Sequence, residues 1–514
     1  MSTAELVFKN ANVITVDDVL PKVSTVAISG NRIIMVGDFD EVKPFVGRRT
    51  RTVDCQRHTL VPGFIDAHCH IFGLIREKLS IDLSPVTVSS IEDIKFKVRE
   101  WAHKESSSKW CIGTNYDEFR LTEKRHPTRW DIDEACTQYP VVLFHRSYHA
   151  CVLNSRALEY IGINIETQEP PGGRIDRDIH TGEPNGILFN MLTVVTAKMP
   201  ALSETELVKG VRLADLEYVS NGITSIHDAT STNDIKRWNF FQEQKVYGRL
   251  RSRIYMMLDI AALDRFQEQE LVSGSGDEQL RLGAVKIMLN ETASGIFPKS
   301  HELREYILKA HCAGYQLAIH TIEHGALAEV ISALEYISRN FPKSGMRHRI
   351  EHCSECPPEF IERLRKLKVL IITQPGFLYH SGDRYMETIP CERLDWLYRI
   401  KSFLKSGVIA GGSSDSPVTS VNPLIGIYAA VTRSTQKGQV VGFYERISPL
   451  EALTMYTRNG AYASHEENLK GTISPGKLAD LVLLSDNPIT TSSERLSEIK
   501  VEMTIIDGRV VWEN

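Results

Sequence analysis

The sequence has no uninterrupted apolar run of about 18 residues, so it predicts no membrane-spanning helix. Its first residues lack the charged and then apolar segments of a secretory signal, which favours a cytoplasmic protein. It has no excess of positive charge: 60 Lys and Arg stand against 65 Asp and Glu, for a net charge of −5, so nucleic acid is not an expected partner. Cysteines are few, nine in 514 residues, odd in number and scattered, which argues against a disulfide framework and for a reducing compartment.

Both ends of the chain have the pattern of short β-strands. Residues 25–37 read as a hairpin with a Gly-Asn turn, and Asp507-Gly508 is a tight-turn signal between two further strands. Because the middle of the chain has a different pattern, residues 1–61 and 467–514 are expected to form one small composite β-sandwich domain. Two unrelated β extensions are the alternative.

Between these ends, apolar strand patterns alternate with helical patterns. The first strand begins at Phe64, after Pro62-Gly63, and seven more follow from Gly222 onwards. Strands that alternate with helices form parallel βαβ units, and eight such units close into a (β/α)8 barrel. The sequence therefore predicts an α/β fold in which residues 62–466 form the barrel, with a large insertion at about residues 80–215. An insertion on the active-site side of a barrel is expected to form a lid or a wall of the substrate site.

His68 and His70 follow the first barrel strand two residues apart. Residues with this spacing on a strand point to the same face, so both imidazoles can reach one ion. Four more residues of ligand type end later strands, at intervals near multiples of the roughly 30 residues of one βαβ unit: Lys286, His320, His352 and Asp415. Because barrel active sites lie at the carboxyl ends of the strands, all six side chains are expected to converge there.

With these residues the sequence resembles the amidohydrolase superfamily of metal-dependent hydrolases, and within it the branch of N-substituted formamide deformylase, the amidohydrolase family 3 type. The resemblance covers essentially the whole chain. It is carried by residues 62–70 (PGFIDAHCH), 126–129 (HPTR), 149–155 (HACVLNS), 171–173 (PGG), 285–286 (VK), 349–352 (RIEH), 413–417 (SSDSP), 471–473 (GTI) and 476–481 (GKLADL). Together these segments are highly specific, although the His-x-His motif alone is not.

The resemblance implies a centre of two divalent metal ions. His68 and His70 are expected to bind one ion, and His320 and His352 the other. Lys286 is expected to bridge them after reacting with carbon dioxide, since only the carbamate carries the oxygens and the negative charge that a bridge needs. That reaction requires a neutral, desolvated amine.

The role of Lys286 has competing explanations at this stage. A buried ion pair with Asp228 or Glu323 would also account for a lysine here. Glu291 is a rival carboxylate, because the Asp-Gly that often follows the lysine in the family is replaced here by Leu-Asn-Glu.

Three further roles follow from the resemblance. Asp415 is expected to be both a metal ligand and the catalytic proton shuttle, although it also suits the start of the next helix. His149 is expected to contact the substrate carbonyl or its tetrahedral anion as a catalytic and substrate-binding residue. A purely structural role for His149 is equally open. Asn154, in the same motif, is expected to bind substrate.

The implied function is hydrolysis of a non-peptide carbon–nitrogen bond of amide, N-acyl, formamide or carbamate type in a small molecule, by attack of a metal-bound hydroxide. Zinc is the first choice of metal, and a homodimer is expected. The alternative is a mononuclear centre of His68, His70, His320 and Asp415, with His352 as a hydrogen-bond donor. Such a centre would catalyse deamination or a non-hydrolytic reaction.

Overall fold

Eight parallel strands form one sheet in the computed structural model, which describes residues 3–19, 22–104, 110–292 and 295–514. The strands are β1 (Phe64–Cys69), β2 (Ile223–Asp228), β3 (Arg253–Asp259), β4 (Leu280–Ile287), β5 (Leu317–Thr321), β6 (Arg349–His352), β7 (Leu370–Thr373) and β8 (Ala410–Gly412). Each strand pairs in parallel with the next. Beyond β8, Asp415 N donates to His68 O and His70 N to Ser416 O, both at 2.8 Å, which brings the last strand to the first. The predicted (β/α)8 barrel is confirmed.

The barrel strands are apolar along most of their length because parallel strands are covered on both faces. All six residues of β1 are buried. Gly63 lies just before β1, and a Cβ at that position would lie 2.2 Å from Oγ1 of Thr224. Only glycine therefore allows the chain to pass the start of β2 this closely.

Helices follow the strands, as the alternating pattern predicts. After β2 they are Ile235–Val246, Leu263–Glu268, Ser300–Cys312, His324–Asn340, Pro358–Leu367, Gly376–Thr388, Cys391–Leu394, Ile400–Ser406, Pro423–Thr432, Pro449–Met455 and Arg458–Ala463. None of the helices in the described part of the chain has both the length and the apolar character needed to cross a bilayer.

Strands from both ends of the chain combine, as the sequence predicts. One sheet has the order Arg32–Gly37, Thr25–Ser29, Ala4–Lys9, Val46–Asp54, and the other has the order Arg509–Glu513, Val501–Ile506, Leu481–Leu484, Thr59–Pro62, Asn12–Ile14, Lys22–Val23. A short helix, Phe39–Val42, precedes Val46–Asp54. Leu6 and Phe8 from the first end share one apolar core with Leu481 and Ile505 from the other.

A buried ion pair joins these terminal strands to the barrel. Arg253, at the start of β3, donates from Nε to Asp480 Oδ2 at 2.6 Å and from Nη2 to Asp480 Oδ1 at 3.0 Å. The two side chains are 1% and 3% exposed. Such a forked pair is strong because both arginine donors meet the two carboxylate oxygens at once.

The chain forms two compact units: Met1–Ile71, Ala214–Asn290 and Pro298–Asn514 make the first, and Phe72–Leu213 with Glu291–Phe297 make the second. The first unit holds both the terminal sheets and the barrel, so the domain boundaries at residues 61 and 467 stay a prediction. All nine cysteines lie in the described ranges and are unbridged thiols, as expected.

The second unit contains a sheet of mixed direction. Its strands have the order Arg174–Arg177, Pro184–Phe189, Ala150–Leu153, Val141–His145, Cys111–Tyr116, Ile81–Asp82. Its helices are Ile91–Lys104, Arg129–Asp133, Ser155–Ile161 and Leu192–Lys198, while Ile71–Lys78 and Glu204–Ser220 run across its two boundaries with the first unit. Two short strands, Asn290–Thr292 and Gly295–Phe297, pair with each other.

Candidate metal centre

His68 lies in the middle of a group of ligand-type side chains at the carboxyl end of the barrel. Its Nε2 is 3.4 Å from Nζ of Lys286 and 3.4 Å from Oδ1 of Asp415. The same Asp415 oxygen is 2.9 Å from Nε2 of His70. Residues from β1, from β4 and from the segment after β8 therefore meet at one point.

The remaining two histidines join this group through their rings. The ring centroid of His352 lies 4.8 Å from that of His68 and 4.4 Å from that of His320. His68, His352 and Asp415 can each offer a ligand atom within 4.8 Å of the others. The structure thus brings together all six residues that the sequence predicts as metal ligands.

Two of these residues have left-handed backbone conformations. φ is 57° at Asp415 and 66° at His352. A non-glycine residue in this region costs about 1–3 kcal/mol and persists only where its surroundings hold it. For Asp415 the neighbouring Asp66 provides the hold, because its carboxylate accepts hydrogen bonds from the amide (2.9 Å) and the hydroxyl (2.5 Å) of Ser414.

The orientation of His68 is set on the side away from the group. Its Nδ1 is 2.5 Å from Oε2 of Glu351, and both side chains are fully buried. Burial lowers the pKa of His68 well below its ordinary value, so the ring is neutral. A neutral ring that donates from Nδ1 keeps a lone pair on Nε2, which points to Lys286 and Asp415.

His352 is oriented in the same way by an amide. Its Nδ1 is 2.8 Å from Oε1 of Gln374, whose Nε2 donates to Oγ of Ser413 at 3.0 Å. Since that hydroxyl in turn donates to Thr373 O, the amide orientation is fixed and Oε1 must accept from His352. Burial lowers the pKa of His352 to about 4, so its Nε2 also carries a lone pair.

Lys286 is a buried amine without a counter-ion. It is 1% exposed, and burial lowers its pKa to about 8. No carboxylate in the described ranges lies within ion-pair distance of its Nζ. Asp228, one of the partners considered from the sequence, accepts instead from the amides of Ile71 and Thr230. The ion-pair explanation for Lys286 is therefore wrong.

Asp415 is held as an anion. Burial opposes its ionisation, but the hydrogen bond with His70 and the charges of His352 and His68 outweigh that effect, so the pKa of Asp415 lies well below its ordinary value. The next helix, Pro423–Thr432, is capped by Asn422, whose side chain accepts from Leu424 N. The alternative role of Asp415 as that helix cap is wrong.

The residues predicted in the insertion belong to the second unit. His149 is exposed, and its Nδ1 lies 2.9 Å from Oδ1 of Asn190. Its catalytic role stays a prediction. Glu291, the rival bridging residue, is exposed in the strand Asn290–Thr292 of the same unit.

Asn154 needs a correction. It is fully buried and caps the helix Ser155–Ile161 by accepting from Ala157 N at 2.9 Å. Its Oδ1 also accepts from Val141 N, and its Nδ2 donates to Cys136 O and Tyr139 O. Because both ends of the amide are already engaged inside the second unit, we assign Asn154 a structural role and not a substrate-binding one.

Sequence reasoning missed the residues that hold the ligands. Glu351 and Gln374 contact the two buried imidazoles, yet neither is of an unusual type for its position. One signal was available for Glu351. It lies two residues after Arg349, so both side chains point to the same face of a buried strand, where opposite charges are expected to pair.

A second group of ligand-type side chains, Asp117, Glu118 and His145, lies in the second unit. Nε2 of His145 is 2.7 Å from Oε2 of Glu118, whereas Asp117 is paired with Arg146 at 3.2 Å. The arginine already balances the Asp117 carboxylate, so we propose no ion at this position.

Comparison with known proteins decides the family. The family model described as the amidohydrolase family matches residues 51–512. The chain belongs to the amidohydrolase family. This agrees with the resemblance read from the sequence, and it makes the chain a hydrolase of non-peptide carbon–nitrogen bonds.

Relatives within this family align over nearly the whole chain. N-substituted formamide deformylase from Arthrobacter pascens is 28% identical over 99% of this chain and 98% of its own. Protein LONG AFTER FAR-RED 3 from Arabidopsis thaliana is 28% identical over 99% of this chain and 92% of its own. The crystal structure of an uncharacterized metal-dependent hydrolase from Pyrococcus horikoshii has the same fold, with a TM-score of 0.75, 23% identity and coverage of 95% of this chain and 99% of that one.

The donor set of this amidohydrolase fits a divalent metal ion. Imidazole nitrogens with carboxylate oxygen are ligands that suit zinc, manganese, iron or nickel. Two of the imidazoles are neutral, with Nε2 lone pairs left unprotonated by the hydrogen bonds at Nδ1. A metal requires this state of a histidine ligand.

Proposed function

We propose that this amidohydrolase cleaves an amide, N-acyl, formamide or carbamate bond in a small molecule, with two divalent metal ions held by His68, His70, Lys286, His320, His352 and Asp415. The observation that carries the proposal is the meeting of all six side chains at the carboxyl end of the barrel. Family membership supplies the bond type, and the site supplies the means of attacking it.

A bound metal ion would lower the pKa of a water molecule towards neutrality and polarise the carbonyl group of the substrate. Asp415 then has the work of moving the proton. Its carboxylate is ionised, so it can accept a proton from the attacking water and pass it to the leaving nitrogen. His70, 2.9 Å from Oδ1 of Asp415, holds the carboxylate in place. We propose that His149 contributes to binding the substrate carbonyl.

We further propose that Lys286 is carboxylated. The neutral amine attacks carbon dioxide, a nitrogen–carbon bond forms, and one proton leaves to solvent, which gives a carbamate with two oxygens and one negative charge. Burial supports this step because a pKa of about 8 leaves much of the amine neutral near physiological pH. The lack of a counter-ion within the described ranges supports it further, since the carbamate would replace an unpaired buried cation by an anion among metal ions.

Replacing Lys286 with methionine is expected to reduce the metal content from about two ions per chain to one or fewer and to lower kcat/KM at least about 100-fold. Protein loaded with ¹³C-bicarbonate is expected to show a carbamate carbon resonance in the wild type and none in Lys286→Met.

Lys245→Met is the matched control for this experiment. Lys245 is also buried, with its pKa lowered by burial to about 7, but its Nζ donates to the carbonyl of Ser252 at 2.6 Å and not to the candidate centre. The variant should keep the resonance. A wild-type protein that binds two ions without a carbamate resonance would remove Lys286 as the bridge and leave Glu291 as the rival.

The mononuclear alternative requires His352 to donate a hydrogen bond from the ring nitrogen that faces the centre. The contact of its Nδ1 with Gln374 argues against this, because a neutral ring that donates there has only a lone pair on Nε2. This favours His352 as a ligand and a centre with two ions.

Three finer proposals accompany this one. Zinc is the metal we expect, since histidine and carboxylate ligands suit it well. The nine unbridged cysteines fit a cytoplasmic enzyme. The expectation of a homodimer comes from the resemblance alone.

Product analysis in H₂¹⁸O tests the proposed reaction. With a panel of N-formyl, N-acyl and carbamate compounds, the protein is expected to release an amine and a carboxylic acid or carbonic acid product that carries one ¹⁸O atom. Release of ammonia from a ring carbon would instead identify a deaminase. A product of unchanged mass without ¹⁸O would identify an isomerase, and either result would contradict the proposal.

A further inference from the structure

We propose that Glu351 is a positioning residue of the metal centre, and that it fixes the tautomer and the ring plane of His68. This inference rests on the proposed function, because it concerns how a ligand is prepared for the metal. It starts from a contact between two fully buried side chains: His68 Nδ1 lies 2.5 Å from Glu351 Oε2.

Glu351 is itself held by an arginine fork. Arg349 Nε lies 2.5 Å from Oε1 of Glu351, and Arg349 Nη2 lies 3.0 Å from Oε2. All atoms of this pair are buried, with both side chains 0% exposed. A carboxylate paired in this way stays an anion in the barrel interior, where an unpaired one would take up a proton.

The arginine ties this pair to two neighbouring strands. Its Nη2 donates to Ala67 O on β1 at 2.6 Å, one residue before His68. Its Nη1 lies 3.1 Å from Nδ1 of His227 on β2. Glu351 is therefore fixed relative to the strand that carries the ligand, as well as to its own strand.

The direction of every hydrogen bond in this chain is forced. A guanidinium group has donors only, so Glu351 must accept from it and His227 Nδ1 must accept as well. An ionised Glu351 has no proton to give, so His68 must donate from Nδ1. The proton of the neutral His68 ring is thereby kept on Nδ1, and the Nε2 lone pair is aimed at Asp415 and Lys286, 3.4 Å away in each case.

A purely structural role would not need this contact. The arginine fork already pairs the charge of Glu351, and Oε2 accepts from His68 in addition to Arg349. Carboxylates that accept from the non-ligating nitrogen of a metal-bound histidine orient the ring and raise its basicity. We infer that Glu351 serves this purpose here.

Glu351→Gln tests the inference. The variant keeps the shape of the side chain but has one acceptor oxygen, so an amide group must face either Arg349 or His68. If the NH₂ group faces His68, Nδ1 must accept and the ring proton moves to Nε2, where it blocks the metal. We expect metal affinity about 10- to 100-fold weaker than in the wild type. Competition of the metal-free full-length protein with a chromophoric chelator for Zn²⁺ measures this change.

Asp480→Asn is the matched control. It makes the same carboxylate-to-amide change in a buried arginine pair of the same unit, with Arg253, but touches no imidazole. We expect it to lower Tm and to leave the Zn²⁺ Kd within about twofold of the wild type, since the two sites share no partners. The ¹⁵N chemical shifts of His68 in metal-free protein give a second readout, with Nδ1 protonated in the wild type and the proton shared with or moved to Nε2 in Glu351→Gln.

Glu351→Asp provides a further variant in case Glu351→Gln does not fold. It keeps the charge beside Arg349 but withdraws the carboxylate from His68, and we expect metal affinity at least about tenfold weaker. Unchanged Zn²⁺ affinity in both Glu351 variants would overturn the positioning role while the proposed function stands. A wild-type protein that binds no Zn²⁺ would instead overturn the proposed function, and this inference with it.

Discussion

Replacing Asp415 with asparagine is expected to lower kcat by about 1,000- to 10,000-fold, the upper part of the range for loss of a general acid–base group. Asparagine has nearly the same shape, so the hydrogen-bond geometry with His70 can persist. Its amide cannot accept the proton of the attacking water or pass it to the leaving nitrogen. Steady-state kinetics on the substrate found in the product analysis, with metal content measured on the same samples, checks this prediction.

The control separates loss of the proton shuttle from loss of a buried carboxylate in general. Asp480→Asn changes a carboxylate that pairs with Arg253 outside the centre. It is expected to keep kcat near that of the wild type at a temperature where it is folded. If Asp415→Asn with full metal content retained more than about one tenth of the wild-type kcat, Asp415 would not be the acid–base residue.

Removal of the metal is expected to abolish activity, down to the uncatalysed rate, and addition of a divalent ion is expected to restore it. The reason is that the six side chains offer imidazoles, an amine and a carboxylate but no nucleophile of their own, so the attacking water depends on the ion. Dialysis against a chelator, followed by titration with Zn²⁺ or Mn²⁺ and measurement of activity per bound ion, tests this prediction.

The fold is expected to survive this treatment. The barrel strands are joined by continuous backbone pairing and packed by apolar residues, so circular dichroism of the metal-free protein should match that of the loaded protein. Tm is expected to fall by the contribution of metal binding alone. Full activity with less than about one ion per ten chains would contradict a metal-dependent reaction.

The barrel could be predicted from the sequence because its signal repeats. Each unit supplies an apolar strand and a helix, and the spacing from Lys286 to His320 and on to His352 places a polar residue at the end of successive strands. Topology then requires these ends to lie at one edge of the sheet. The six side chains are far apart in the chain but were predictable for this reason.

The supporting contacts could not be predicted in the same way. Glu351 contacts His68 across the barrel, and Gln374 contacts His352 from the next strand. These contacts depend on side-chain length and on the closing of the barrel, which no local pattern contains. The assignment of residues 291–297 to the second unit is of the same kind.

Asn154 illustrates the opposite error. Asparagine directly before Ser-Arg-Ala-Leu is a common helix start, and its side chain forms that cap. The local signal was therefore present, but membership of a family motif favoured a substrate-binding role. A polar residue in such a motif can stabilise the loop that carries the functional residue, here the segment after His149.

The central claim is that the six side chains hold the metal, and anomalous diffraction at the metal absorption edge tests it most directly. Crystals of active, metal-loaded protein are expected to give anomalous peaks about 2.0–2.2 Å from Nε2 of His68 and His352 and from a carboxylate oxygen of Asp415. Fully active crystals with the metal elsewhere, and with these three atoms bound to no ion, would contradict the account.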